Sequence, residues 1–138
     1  MKNKTLIAVI LLLLLPLLLA MGALQKESPE KIPVPKKKFV ATFIDQTDVI
    51  TECQEVSIGG ETFLEGRKGS GTTAIPFDNF KEISFLYEGQ NLQGLVKMQD
   101  GNTIQLSLDK NQRAFGRTKY GTFQIRLGDL KKMTIARL

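Results

Sequence analysis

The chain has 138 residues, with 19 Lys and Arg against 14 Asp and Glu, one Cys, and neither His nor Trp. That length holds one ordinary domain. The missing His excludes imidazole bases, imidazole metal ligands and histidine pH switches, and the single Cys excludes an internal disulfide or a four-cysteine zinc site.

The charge is unevenly placed. Residues 1–38 hold 7 basic and 2 acidic side chains, whereas residues 39–138 hold 12 of each. A nucleic-acid binder carries its basic footprint on the folded domain, so no nucleic-acid partner is expected.

Lys2 and Lys4 precede an uncharged, leucine-rich stretch over residues 5–24. A basic start followed by an apolar run is the pattern of a secretory signal. Twenty residues at about 1.5 Å each would also cross a hydrocarbon core about 30 Å thick. Pro16 sits late in the run, and Ala20 and Gly22 offer small residues at the spacing a signal peptidase reads. Residues 1–24 are therefore read as a hydrophobic helix, a signal peptide or signal anchor, with both readings open. No Cys follows the run, which excludes a lipid-modified N-terminus. Lys26, Lys31 and the lysines at 36–38 argue by the positive-inside rule for a cytoplasmic C-terminus. The short basic tail before a long leucine run argues the reverse. Export is expected, to the periplasmic side of the inner membrane or beyond the cell, with the membrane a partner through residues 5–24 if the leader stays.

Residues 25–38 read QKESPEKIPVPKKK. Pro29, Pro33 and Pro35 disfavour helix and sheet, so this stretch reads as a stiff linker reaching about 40 Å at about 3.1 Å per residue.

From Phe39 onward the texture turns to alternating β-branched and aromatic residues. FVATFI, DVITEC, EVSI, TTAIPF, KEISFLY, LQGLVKM, NTIQLSL, GTFQIRL and KKMTIARL each read as a strand. Gly59 with Gly60, Glu88 with Gly89, Asp100 with Gly101 and Gly128 with Asp129 mark the turns. The expected fold is an all-β domain over residues 39–138.

A shift of 50 residues lays residues 56–85 on 106–135 without a gap. Identities fall at Ser57 and Ser107, Gly66 and Gly116, Arg67 and Arg117, Gly71 and Gly121, Thr72 and Thr122, Ile75 and Ile125, and Lys81 and Lys131. Two tandem units, about 39–88 and 89–138, are expected to share one small barrel or sandwich, because a lone unit of this size would bury too little apolar surface. Residues 39–89 carry 3 basic and 9 acidic side chains, and residues 90–138 carry 9 basic and 3 acidic, so the halves attract. A monomeric domain follows. The duplicated G-x4-G-T-x2-I-x-[FL] unit resembles a β module of uncharacterised exported bacterial proteins. That resemblance implies no activity.

Little catalytic chemistry stands out. Residues 66–72 look superficially like a phosphate loop, but Thr72 stands where the motif needs Lys, and a strand rather than a helix should follow. The recurrence of Gly66, Gly71 and Thr72 as Gly116, Gly121 and Thr122 reads instead as structural turns. Asp45, Asp48, Glu52 and Glu55 surround Cys53 in sequence without a calcium-loop pattern, and Cys53 has no His partner. Neither a metal site, a cofactor nor a catalytic set is expected. Arg67 and Arg117 are the candidate binding residues, as a two-fold anion site. The leading expectation is an exported or membrane-tethered module acting by binding or assembly with a protein or other envelope partner. The alternative is a small carboxylate-based envelope hydrolase.

Overall fold

A computed structural model describes residues 31–137. The signal peptide or anchor expected over residues 1–24, and the first part of the expected linker, lie outside the described residues. Ten strands follow: β1 Phe39–Asp45, β2 Ile50–Ile58, β3 Phe63–Lys68, β4 Gly71–Pro76, β5 Phe80–Glu88, β6 Asn91–Met98, β7 Thr103–Leu108, β8 Arg113–Thr118, β9 Gly121–Arg126 and β10 Leu130–Arg137. All pairings are antiparallel within one sheet, in the order β4-β3-β7-β6-β5-β10-β1-β2-β8-β9. The sheet curls into a half-barrel, so neither a closed barrel nor two stacked sheets forms. Among the described residues there is no α-helix, and none long and apolar enough to cross a membrane.

The period-2 rule explains the core. Phe39, Ala41 and Phe43 of β1 are buried, as are Ile83 and Phe85 of β5 and Leu106 and Leu108 of β7, while their neighbours in sequence face outward. Short 3₁₀ corners at Phe77–Asn79 and Leu127–Asp129 separate β4 from β5 and β9 from β10. Phe80 and Leu130, directly after them, are fully buried. Phe77 meets Phe39 and Phe80 edge to face, at centroid distances of 5.5 and 5.6 Å.

Two features depart from the expected strands. DVITEC and EVSI are parts of one strand, β2, kinked at Glu55, whose φ is 50°. β3 and β8 were expected as glycine turns and are strands instead. Gly66 and Gly116 sit at their middles, where the inward side has no room for a side chain. A Cβ on Gly66 would lie 2.8 Å from Leu106 Cβ, and one on Gly116 would lie 2.5 Å from Cys53 Cβ. Here glycine answers close approach, not chain reversal.

Exchanging each of β1–β5 with the strand five places later returns the same order read backwards. Four of the nine pairings join strands of the same half (β1–β2, β3–β4, β6–β7 and β8–β9), and the other five join the two halves. The ion pairs Arg117–Glu55, Lys131–Asp48 and Lys132–Glu82 each join a base of the second half to an acid of the first.

Part of the proline-rich linker packs on the domain. Ile32 and Pro35 are buried, Pro33 sits against Gly60, and Lys37 pairs with Asp78 at 3.2 Å.

Candidate functional site

Hairpins β3–β4 and β8–β9 are built alike. Arg67 opposes Thr72 in one, and Arg117 opposes Thr122 in the other. Their attachment to the sheet differs. β8 is zipped to β2 through Gln54 and Arg117, Ser57 and Phe115, and Ile58 and Ala114, and the Gly59 amide then donates to the Arg113 carbonyl at 2.8 Å. β3 meets β7 at one register pair, Arg67 with Ser107. Past that pair, Asp109 turns the chain aside: its carboxylate accepts the Asn111 amide at 2.9 Å, and its carbonyl accepts the Gln112 amide at 3.2 Å.

The opened seam is a cleft of about 970 Å³. Hairpin β3–β4 contributes residues 65–67, Gly69 and Thr72; the β5–β6 turn and the start of β6 contribute residues 90–93; the end of β7 and its following loop contribute residues 107–112. Gly69 makes the β3–β4 reversal with φ 62°, a conformation that side chains with a Cβ resist. Gln93 lies on the outward side of β6 yet is only 8% exposed, because the cleft wall covers it. Its amide donates to the Ser107 hydroxyl at 3.2 Å.

The lining is polar and rich in side-chain amides, with Arg67 and Lys110 as cations and Glu65 and Asp109 as acids. Among the described residues Arg67 has no ion-pair partner, whereas Arg117 Nε lies 2.9 Å from Glu55 Oε2. Lys38 approaches the same carboxylate at 3.7 Å. The β2 kink at Glu55 delivers that carboxylate to Arg117. Fifty residues on from Glu55, β7 holds Gln105, whose amide turns toward Glu88 and Gln93, and the β7 residue paired with Arg67 is Ser107.

This placement corrects the expected anion site. Arg67 and Arg117 do not share one: Arg67 lines the cleft, and Arg117 is paired with Glu55 at the far seam. Gly71 with Thr72 and Gly121 with Thr122 open β4 and β9 directly after the hairpin reversals. The acids near Cys53 are dispersed. Asp45 accepts the Thr47 hydroxyl at 2.8 Å and the Val49 amide at 3.0 Å, Asp48 pairs with Lys131, and Glu55 pairs with Arg117. The Thr47 hydroxyl and the Val49 amide hold the Asp45 carboxyl below its usual range. Burial pushes the Cys53 thiol up to about 11, so it is neither an exposed nucleophile nor part of the cleft. Ser107, the hydroxyl in the cleft, has an amide neighbour, which cannot take its proton.

The fold and cleft define a class: an all-β domain of one curled antiparallel sheet, with a polar cleft lined by side-chain amides, Arg67 and Lys110. The chain belongs to a protein family described as "Uncharacterised protein", whose sequence model matches residues 35–137. Comparison with curated proteins and with solved structures gave no match.

Proposed function

We propose that this chain is an exported or membrane-tethered module of two tandem repeats that acts by binding, with the cleft beside Arg67 as its site. The observation that carries this reading is that Arg67, without an ion-pair partner among the described residues, lines a cleft together with side-chain amides and the Ser107 hydroxyl. Such a surface offers directional donors and acceptors around one cation, which suits recognition of a polar, anionic ligand. The leader pattern over residues 1–24 supports placement in the cell envelope. The reversed strand order supports the two repeats.

The test is capture from an envelope extract by the wild-type chain and by an Arg67→Ala, Lys110→Ala variant. A ligand kept by the first and lost by the second is the expected result. Equal retention by both would move the binding site elsewhere.

A second reading rests on Glu65 and Asp109, which both line the cleft, as a carboxylate-based hydrolase would require. Asp109 is already engaged as a turn acceptor, which favours binding over catalysis. Loss of a hydrolytic activity in both Glu65→Gln and Asp109→Asn would favour the second reading.

A further inference from the structure

We propose that the open seam receives an extended peptide bearing one acidic side chain, which lies on Arg67 as Glu55 lies on Arg117. This inference rests on the reading of the cleft as the binding site and names its ligand class.

Three observations converge. First, the cleft is the unzipped counterpart of a zipped seam. Where β2 and β8 continue through Ser57 with Phe115 and Ile58 with Ala114, β3 and the chain leaving β7 part after Arg67. The β3 edge past Arg67 therefore fronts the cleft, and an added extended segment can bond to it as a further strand.

Second, the molecule shows what this hairpin position binds. In identically registered hairpins, Arg117 holds a strand-borne carboxylate at 2.9 Å, while Arg67 has no partner among the described residues. Charge-assisted bonds from a guanidinium to a carboxylate are among the stronger polar contacts, so Arg67 selects the same group.

Third, Asn91, Ser107 and the Asn111 amide nitrogen line the cleft with polar groups for the remaining backbone and side-chain groups of such a segment, while buried Gln93, bonded to Ser107 and Gln105, fixes the floor. Glu65 and Asp109 on the same walls repel further negative charge, so one acidic residue is accepted and an acidic run is rejected.

The test uses the full chain in detergent micelles and fluorescence anisotropy of a labelled pentapeptide, Thr-Val-Glu-Val-Thr, capped at both ends. Three controls accompany it: the same peptide with Gln for Glu, one with N-methylated backbone amides, and an oligomer of galacturonic acid. Saturable binding of the Glu peptide is expected. The Gln and N-methyl peptides should each bind about tenfold more weakly. Arg67→Met should remove the preference for Glu over Gln, and its melting temperature should match the wild type. Equal binding of the Glu and Gln peptides to the wild type would overturn the proposal, as would unchanged Glu-peptide binding by Arg67→Met. Binding of the acidic sugar that depends on Arg67, with none of the peptide, would overturn the peptide while leaving the cleft as the binding site. No saturable binding of either would overturn both.

Discussion

Adding one methyl group at Gly116 is a sharp test of the packing described above. The new Cβ of Gly116→Ala would lie 2.5 Å from Cys53 Cβ, 3.0 Å from Cys53 Sγ and 3.2 Å from Val56 Cγ1. Carbon atoms in contact normally sit about 3.5–4.0 Å apart, so β2 and β8 would have to separate by about 1 Å. The nearest atom is fixed to the backbone, and no rotamer change removes it. Overpacking of this kind costs typically about 1–3 kcal/mol, and a backbone-anchored clash belongs at the upper end, about 3 kcal/mol. At about 4–8 °C per kcal/mol for a domain near 100 residues, the melting temperature should fall by about 12–24 °C. Thermal unfolding of a fragment over residues 31–138, followed by circular dichroism, reads this directly. Gly71→Ala is the matched control, because its new Cβ meets nothing closer than the Lys68 carbonyl at 3.6 Å. It should change stability by no more than about 0.5 kcal/mol. Removing the opposing Cβ with Cys53→Gly should partly rescue Gly116→Ala. Equal melting temperatures for Gly116→Ala and Gly71→Ala would refute the close-approach argument.

Further expectations concern the rest of the domain. The fragment 31–138 should unfold cooperatively, unaffected by chelator, and a fragment starting at residue 39 should be about 1–3 kcal/mol less stable for want of buried Ile32 and Pro35. The Cys53 thiol is raised from 9.0 to about 11 in the folded chain, so its contribution is complete below pH 9 and is lost as pH rises toward 11. Denaturant titrations across that window should show the wild type losing stability faster than Cys53→Ala. The Ser57 hydroxyl is buried without a hydrogen-bond partner among the described residues, so Ser57→Ala should be neutral or stabilising by up to about 1 kcal/mol in urea unfolding. Sedimentation should find the 31–138 fragment monomeric at physiological salt, and a dimer persisting at about 1 M salt would show apolar assembly.

The strands built on alternation were legible because Val, Ile and Phe at period 2 leave few other ways to bury a face. FVATFI and KEISFLY became β1 and β5 on that basis. β3 and β8 were not legible, since FLEGRK and RAFGRT place a glycine where the pattern expects a large apolar residue. The missing volume is supplied by Leu106, Val56 and Cys53 from other strands, and no local pattern reports that. The Glu55 kink was hidden for a similar reason: it lies at the register shift between Gln54 and Ser57 where β2 pairs with β8, a strand far along the chain. The linker's proline content spoke of extension, which Ile32 and Pro35 satisfy while packed on the domain. Arg67 and Arg117 were recognisable as a matched pair from the 50-residue shift. Their different fates depend on which seam is zipped, a property of strand order.

That strand order also constrains how the chain can come into being. While only the first half has been synthesised, β3 and β5 lack the neighbours β7, β6 and β10 that flank them in the finished sheet. The two early hairpins, β1–β2 and β3–β4, have no ladder joining them until residues beyond 90 arrive. Isolated hairpins are marginal in water, so the nascent first half stays an open chain. Closure then brings together partners as distant as Phe39 and Arg137, a topology that folds late and slowly. A single half expressed alone should therefore find its missing neighbours only in a second copy of itself.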